Sequence, residues 1–396
     1  MNKRYIPGLD EIRVTALLAV FLFHLLPGTF VGGYLGVEAF FILAGFLLAV
    51  KSLNMNRDQV IIFYKKKIIN ILGPALLMIL VVSAWLRFLV PSEVWGLKAV
   101  TGSVLGCFFN FRQIFIAGDY FASIGAGSPF THLWTLSIEM QFFLLWPLMA
   151  HIIGRFYRKD WSGTILGFGV FTFATALIMP VCAVNGVSSS FLYYFTGTRV
   201  FPMFLGVLAG MLYRAGNPVA YGFRFHPIAK YFSYAVSLVL AAILTIKADG
   251  TYAFIYRGGM ALVSVWITFT LLLTAGMPER SVKNRTGRYQ SKRFSRKQTP
   301  SGFGLFCRRF SSMGLEFYLW QYPVIFFCNA LIGYNAAAKV TEVFLTIALA
   351  IWNHYFFNGM IRFFNVTFRE MFSESKNKGR RTFPFRRFFT RIIRQI

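Results

Sequence analysis

Long apolar runs alternate with short polar connectors along this chain, and runs long enough to cross a bilayer recur from Val14 to Met360. Roughly 20 apolar residues in a helix cover a hydrocarbon core of about 30 Å. Helical spans are therefore expected over 10–27, 36–50, 68–88, 132–153, 163–183, 198–213, 231–247, 254–275, 313–333 and 340–360, because a helix satisfies its backbone hydrogen bonds within the segment. The stretch WGLKAVTGSVLGCFF, 95–109, is a further candidate. Counting it as a span would put Arg155, Arg158 and Lys159 outside, against the charge bias, so it is expected to be re-entrant or interfacial. The fold class that follows is all-α: a polytopic membrane protein of about ten transmembrane helices with both termini cytoplasmic. Residues 1–365 are expected to form the transmembrane domain, with a basic cytoplasmic loop over 276–310, and 366–396 a short basic cytoplasmic tail.

Composition agrees with the pattern. Of 396 residues, 56% are hydrophobic and only 14% charged, against roughly 25% charged in soluble domains. The net charge of +27 would suit a nucleic-acid binder, but ten basic residues fall between Glu279 and Phe310 and nine between Arg369 and Ile396. Both segments flank spans, which reads as cytoplasmic loops that fix orientation and touch anionic lipid, with no nucleic-acid partner. The outer loops 28–35, 184–197 and 334–338 carry no Lys or Arg. The stretch GRYQSKRFSRKQTPSG is polar and basic and is expected to be a mobile linker. Cys107, Cys182, Cys307 and Cys328 have neither disulfide nor zinc spacing, so no metal is expected. The N-terminal apolar run has no small-residue cleavage pattern and is expected to be a retained first span.

An ionisable side chain in hydrocarbon costs at least about 2.5–3.5 kcal/mol on insertion scales, so each one needs a function or a partner. The set is Asp10, Arg13, His24, Glu38, Glu139, Arg199, Glu316, Glu342 and His354. Arg13 and His24 return to nearly the same face of the first helix, separated by about 16 Å along its axis. A snorkelling arginine and a satisfied helix-end histidine would explain them as well as a site would. Glu38 opens the second helix after a loop with Pro27, Gly28, Gly32 and Gly33, so it should share a level with His24; a carboxylate there could fix the imidazole as a general base, or simply reach the interface. His132 and Glu139 share a face of the fourth span, with Glu139 about 10 Å below its outer end. Glu139 needs a cation, and Arg199 and His24 are the candidates; a structural Glu139–Arg199 pair competes with a catalytic role. Glu316 and Glu342 lie near span ends and read as structural. No GxSxG elbow, Walker loop or HExxH is present. A transporter would suit these residues as well as an enzyme.

The motifs narrow the choice. IPGLDEIRVTALLAVFLFH followed by GGYLGVEAFFILAGFLL resembles the opening of the acyltransferase 3 family of membrane O-acyltransferases, whose Arg-x10-His element is met by Arg13 and His24. HLWTLSIEMQFFLLWP, YYFTGTRVFPMFLG and FSSMGLEFYLWQYPVIFF resemble three further motifs of that family in the same order, so the likeness covers residues 5–365. The resemblance implies ten helices in the cytoplasmic membrane and an acyl-CoA donor on the cytoplasmic side, usually acetyl-CoA. It also implies an acceptor hydroxyl on peptidoglycan, O-antigen, exopolysaccharide or another envelope glycan. It makes His24 and Arg13 the essential pair, with Asp10, Glu38, Glu139, Arg199, Trp134 and Tyr318 in support or in substrate binding. Arg13 would bind the donor's phosphates or polarise its thioester, and His24 would act as base on the acceptor hydroxyl.

Three positions depart from the family: Ala44 for the usual Ser, Gln321 for the usual His of the YLWH element, and Met140 for a second acidic residue. Many relatives carry a C-terminal extracytoplasmic esterase-like domain, which the short basic tail is expected not to supply, leaving it to a separate partner. The competing readings are a glycan-intermediate transporter or flippase, which usually shows inverted repeats not seen here, and a catalytically inactive scaffold.

Overall fold

A computed structural model describes residues 5–90, 97–116, 128–223, 226–276, 281–283, 289–291 and 302–377. Most of the linker GRYQSKRFSRKQTPSG and the tail beyond Asn377 lie outside the described residues. The chain is built of helices, with one short antiparallel ribbon pairing Ser281–Lys283 with Tyr289–Ser291.

The helices run in order α1 Leu9–Leu25, α2 Gly36–Ser52, α3 Arg57–Lys67, α4 Gly73–Leu89, α5 Leu97–Leu105, α6 Phe109–Ile116, α7 Trp134–Lys159, α8 Trp161–Ala176 and α9 Ile178–Val184. They continue as α10 Ser189–Tyr194, α11 Thr196–Arg199, α12 Phe201–Ala215, α13 Pro218–Gly222, α14 Pro227–Lys247, α15 Met260–Ala275, α16 Gly302–Ser312, α17 Gly314–Leu331 and α18 Ala336–Asn377. Each of the ten apolar segments read from the sequence is helical.

Six helical stretches are long and apolar enough to cross a membrane: Gly33–Ser52, Arg57–Leu89, Thr131–Lys159, Trp161–Val184, Ile255–Ala275 and Ala336–Phe363. Tyr231–Lys247 is a shorter apolar helix. Three of the remaining expected spans, α1, α12 and α17, are central helices. They pack against other helices, α1 and α17 carry polar side chains of the site, and α1 and α12 are only 17 and 15 residues long. The outer helices show the opposite. Phe88, Leu166, Phe173, Phe232, Leu262 and Phe344 are all more than 60% exposed, a coat that only lipid would tolerate. The chain is a multi-pass membrane protein.

Residues 95–109 were expected not to span, and α5 and α6 are nine and eight residues long, each about 12–14 Å at 1.5 Å per residue. They turn at Cys107, whose φ is 59°. The turn is tied down by Gln141, whose amide donates to the Cys107 carbonyl at 2.6 Å and to Asn110 Oδ1 at 2.9 Å. Asn110 in turn donates to the Tyr194 carbonyl and to Thr196 Oγ1, both at 3.0 Å. Such a buried amide network satisfies loop backbone at depth.

A capping box starts α3, with Asn56 and Gln59 bonding each other's backbone. A π turn over Ile68–Leu72 then leads into α4, where Pro74 sits in the first turn. The wider π turn accommodates a residue that cannot continue the α-helical ladder and rotates what precedes it. It leaves Lys67 turned onto α7, its Nζ 3.3 Å above the Phe143 ring.

α2 and α12 meet almost backbone to backbone. A Cβ on Gly206 would run into the Ile42 carbonyl, and one on Gly45 into the Met203 carbonyl, the small-residue contact by which membrane helices gain dispersion energy. Gly206→Leu is expected to force the pair apart, destabilising the detergent-solubilised protein by about 1–3 kcal/mol. Differential scanning fluorimetry reads this as a lower Tm; an unchanged Tm would mean the contact does not hold the bundle.

Candidate active site

Arg13 lies in the second turn of α1, and its Nη1 donates to Ser311 Oγ at 2.8 Å. Ser311, the penultimate residue of α16, donates to Asp10 Oδ1 at 2.8 Å, and Arg13 Nη1 is 3.8 Å from that oxygen. The serine thus holds the guanidinium and the carboxylate of neighbouring turns in one register. Glu139 on α7 lies in the field of both Lys67 and Arg13. One end of α1 therefore gathers two cations and two carboxylates, an arrangement suited to phosphate or thioester oxygen once a ligand displaces an internal contact.

His24, in the last turn of α1, is 4% exposed. Its ring meets Tyr322 edge-on at 5.0 Å. The other side of Tyr322 is stacked by His132 at 5.4 Å, so two imidazoles flank one phenol ring. Tyr318, one turn earlier on α17, donates to the His132 carbonyl at 2.8 Å and lies 2.7 Å from Thr135 Oγ1. These bonds fix the start of α7 against α17. Pro323 has no N–H to give the carbonyl of Leu319, and that carbonyl interacts with the His132 ring. Glu139 also reaches Tyr318 electrostatically. Tyr318, His132 and His24 are buried where α1, α7 and α17 meet, while Arg13 and Glu139, towards the other end of α1, are partly exposed.

The expected juxtaposition of Glu38 with His24 is not what forms. Glu38 Oε1 pairs with Arg199 Nη1 at 2.6 Å, both side chains being 1% exposed, and Ser264 donates to Glu38 Oε2 at 3.0 Å. The first turn of α2 presents Glu38 to Arg199 at the end of α11 and to Ser264 on α15 rather than to α1, because the glycine contact locks α2 onto α12, which follows α11 directly. The alternative Glu139–Arg199 pair is excluded by the same contact, and the cations near Glu139 are Lys67 and Arg13. Trp134 supports Arg199, whose guanidinium lies 5.4 Å from the Trp134 ring and 4.9 Å from that of Tyr193. Glu316 and Glu342 have structural partners, His354 Nδ1 and Lys339 Nζ, each at 3.0 Å.

Sequence reasoning placed His132 only by its spacing from Glu139 and left out Ser311, Lys67, Thr135 and Tyr322. The four-residue step from Tyr318 to Tyr322 puts both rings on one helix face and is a signal that could have found Tyr322. Nothing in the sequence announces Ser311. Of the departures from the family pattern, Met140 is a core residue and Ala44 packs against the core. Gln321 is fully buried, and neither amide atom has a hydrogen-bond partner among the described residues.

The putative peptidoglycan O-acetyltransferase YrhL of Bacillus subtilis is 29% identical over 375 residues, 91% of this chain and 55% of that protein. The peptidoglycan O-acetyltransferase OatA of Listeria monocytogenes is 28% identical over 343 residues, 82% of this chain and 50% of the relative. The O-acetyltransferase OatA of Staphylococcus aureus is 25% identical over 376 residues, 91% of this chain and 58% of its own length. The chain spans about half the length of these curated relatives. No solved structure matches it. The family model described as an acyltransferase domain matches residues 6–357, which include every side chain of the site from Asp10 to Tyr322, and the chain belongs to that acyltransferase family.

Proposed function

We propose that this protein is a membrane O-acyltransferase that moves an acyl group, usually acetyl, from cytoplasmic acyl-CoA to a hydroxyl of an envelope glycan. The observation that carries the reading is that α1 holds Arg13, linked through Ser311 to Asp10, at one end and the buried His24, against Tyr322 and near His132, at the other. The names of its relatives favour a peptidoglycan acceptor. In the reading of ten spans with both termini cytoplasmic, Arg13 faces the cytoplasm and His24 the outer side of the cytoplasmic membrane. The bilayer, acyl-CoA and the glycan are then its partners.

On this reading Arg13, with Lys67 behind Glu139, holds the donor's phosphates, and the thioester lies further along the donor, towards His24. His24 takes the proton of the acceptor hydroxyl as that oxygen attacks the thioester carbonyl. The C–S bond breaks, and the CoA thiolate leaves and is protonated, giving the ester and free CoA. Tyr318 and Thr135 hold His132 beside Tyr322, and Tyr322 keeps the His24 ring in place.

Membranes containing the protein, given acyl-labelled acyl-CoA and a glycan acceptor, are expected to yield an alkali-labile labelled ester. Glycan translocation without ester would favour a transporter and sink the reading. Ser311→Ala, which removes the link between Arg13 and Asp10, is expected to raise the KM for acyl-CoA about tenfold, the size of one charged hydrogen bond of roughly 1.5 kcal/mol. An unaltered KM would take Arg13 out of donor binding.

A further inference from the structure

The helix α16 carries three stripes, each repeating at three- and four-residue steps. Gly304, Cys307 and Ser311 are buried, and this stripe lies on α1: Ser311 donates to Asp10, and Cys307 stands in the field of Glu11 and Asp10. Phe303, Phe306 and Phe310 form the second stripe. Phe303 is 70% exposed and Phe306 59%, while Phe310 stacks on Phe306 at 6.1 Å and meets Phe317 of α17 edge-on at 5.2 Å. The third stripe, Leu305, Arg309 and Ser312, is exposed throughout. Arg308, also exposed, has its guanidinium 5.8 Å from the Tyr5 ring. The helix bears no acidic residue.

Eleven residues give α16 a length of about 16 Å, half of a hydrocarbon core of about 30 Å. Met313 alone separates it from α17, which runs along α1 in the same direction. A Cβ on Gly314 would lie 3.7 Å from Arg13 and 3.8 Å from Leu17, Phe317 meets Phe21 at 5.1 Å, and Tyr322 meets His24 at 5.0 Å. On the ten-span reading α1 and α17 both cross the membrane, which leaves α16 at its boundary, at the Arg13 end. An open aromatic stripe at that level meets acyl chains, and the arginines beside it meet headgroups. Two arginines on a helix without a carboxylate favour anionic headgroups over neutral ones. Seating the stripe also fixes the rotation of α16, and rotation decides whether Ser311 stands between Arg13 and Asp10.

We propose that α16 is a binding surface for anionic phospholipid, with Phe303 and Phe306 among acyl chains and Arg308 and Arg309 on headgroup phosphates, and that this seating holds Ser311 between Arg13 and Asp10 and so sets donor binding. The effect on donor binding rests on the O-acyltransferase reading; the lipid surface does not.

The test places the full chain in nanodiscs of equimolar phosphatidylcholine and phosphatidylglycerol, with p-benzoylphenylalanine in place of Phe303. Irradiation is expected to give lipid adducts enriched in phosphatidylglycerol by mass spectrometry, and Arg308→Gln with Arg309→Gln should return them to the composition of the bilayer. Adducts without that preference, or a cross-link to a second copy of the chain, would overturn the surface. In the same nanodiscs the arginine pair of changes, and Phe303→Ser with Phe306→Ser, are expected to raise the KM for acyl-CoA about fivefold, the worth of roughly one arginine at an anionic surface. Added to Ser311→Ala, neither pair should raise it further, because the bond through which they act is gone. An unchanged KM, or effects that add to that of Ser311→Ala, would overturn the control of donor binding.

Arg155→Gln, at an exposed position of α7, is the control and should alter neither adducts nor KM. The arginine variants decide the matter if the phenylalanine pair lowers Tm. Phosphatidylglycerol-enriched adducts without any acyl transfer would keep the surface and remove the enzyme. Acyl transfer with adducts blind to Arg308 and Arg309 would keep the enzyme and remove the surface.

Discussion

His24→Ala is expected to lower ester formation by about 10²–10⁴-fold, the range over which a positioned general base accelerates proton transfer. The imidazole is 4% exposed and held edge-on to Tyr322, so a water molecule admitted into the hole would lack both the basicity and the fixed position of the ring. His132→Ala should cost less, about tenfold, because His132 reaches His24 through the Tyr322 ring rather than through the acceptor. Labelled ester, measured in membranes matched for protein by blot, checks both. More than a tenth of wild-type activity in His24→Ala would end its assignment as the base; a greater loss in His132→Ala would exchange the two roles.

Glu38→Leu should be the most destabilising single change in the bundle. It strands Arg199 as a buried cation, and breaking a buried pair from one side costs about 3–5 kcal/mol, a large part of the 5–15 kcal/mol that holds a domain folded. Replacing both partners removes the stranded charge, so Glu38→Leu combined with Arg199→Met is expected to be more stable than Glu38→Leu alone. A double-mutant cycle in detergent, read by Tm and denaturant midpoint, measures the coupling. If the double variant is no better than the single, Glu38 is held by Ser264 and the α2–α12 contact rather than by Arg199.

Much of the site was legible before the fold. The eleven-residue step from Arg13 to His24 needed only helical periodicity to put both on one face, and α1 is continuous over Leu9–Leu25. The stretch 95–109 was expected from charge bias not to span, and its described part holds the nine-residue α5 and the turn at Cys107 that leads into α6. Partner choice was not legible. Glu38, Glu139, Arg199 and His24 were each placed near a level, but a level leaves the azimuth open, and azimuth decides which carboxylate meets which cation. The glycines of α2 and α12 turned Glu38 to Arg199, and the π turn before α4 brought Lys67 to Phe143 and into the field of Glu139.

By itself the sequence determined that this is a helical membrane protein, where its apolar segments run, and that Arg13 and His24 share one helix face, because hydropathy and the 3.6-residue repeat are local properties of the chain. Only the tertiary structure decided that Ser311, far along the chain, joins Arg13 to Asp10, that His132 and His24 flank Tyr322, and that Arg199 pairs with Glu38 while keeping one edge unsatisfied. The physical reason is common to all three: contacts between helices are set by how closely backbones approach and how each helix is rotated, and that depends on the packing of the whole bundle at once.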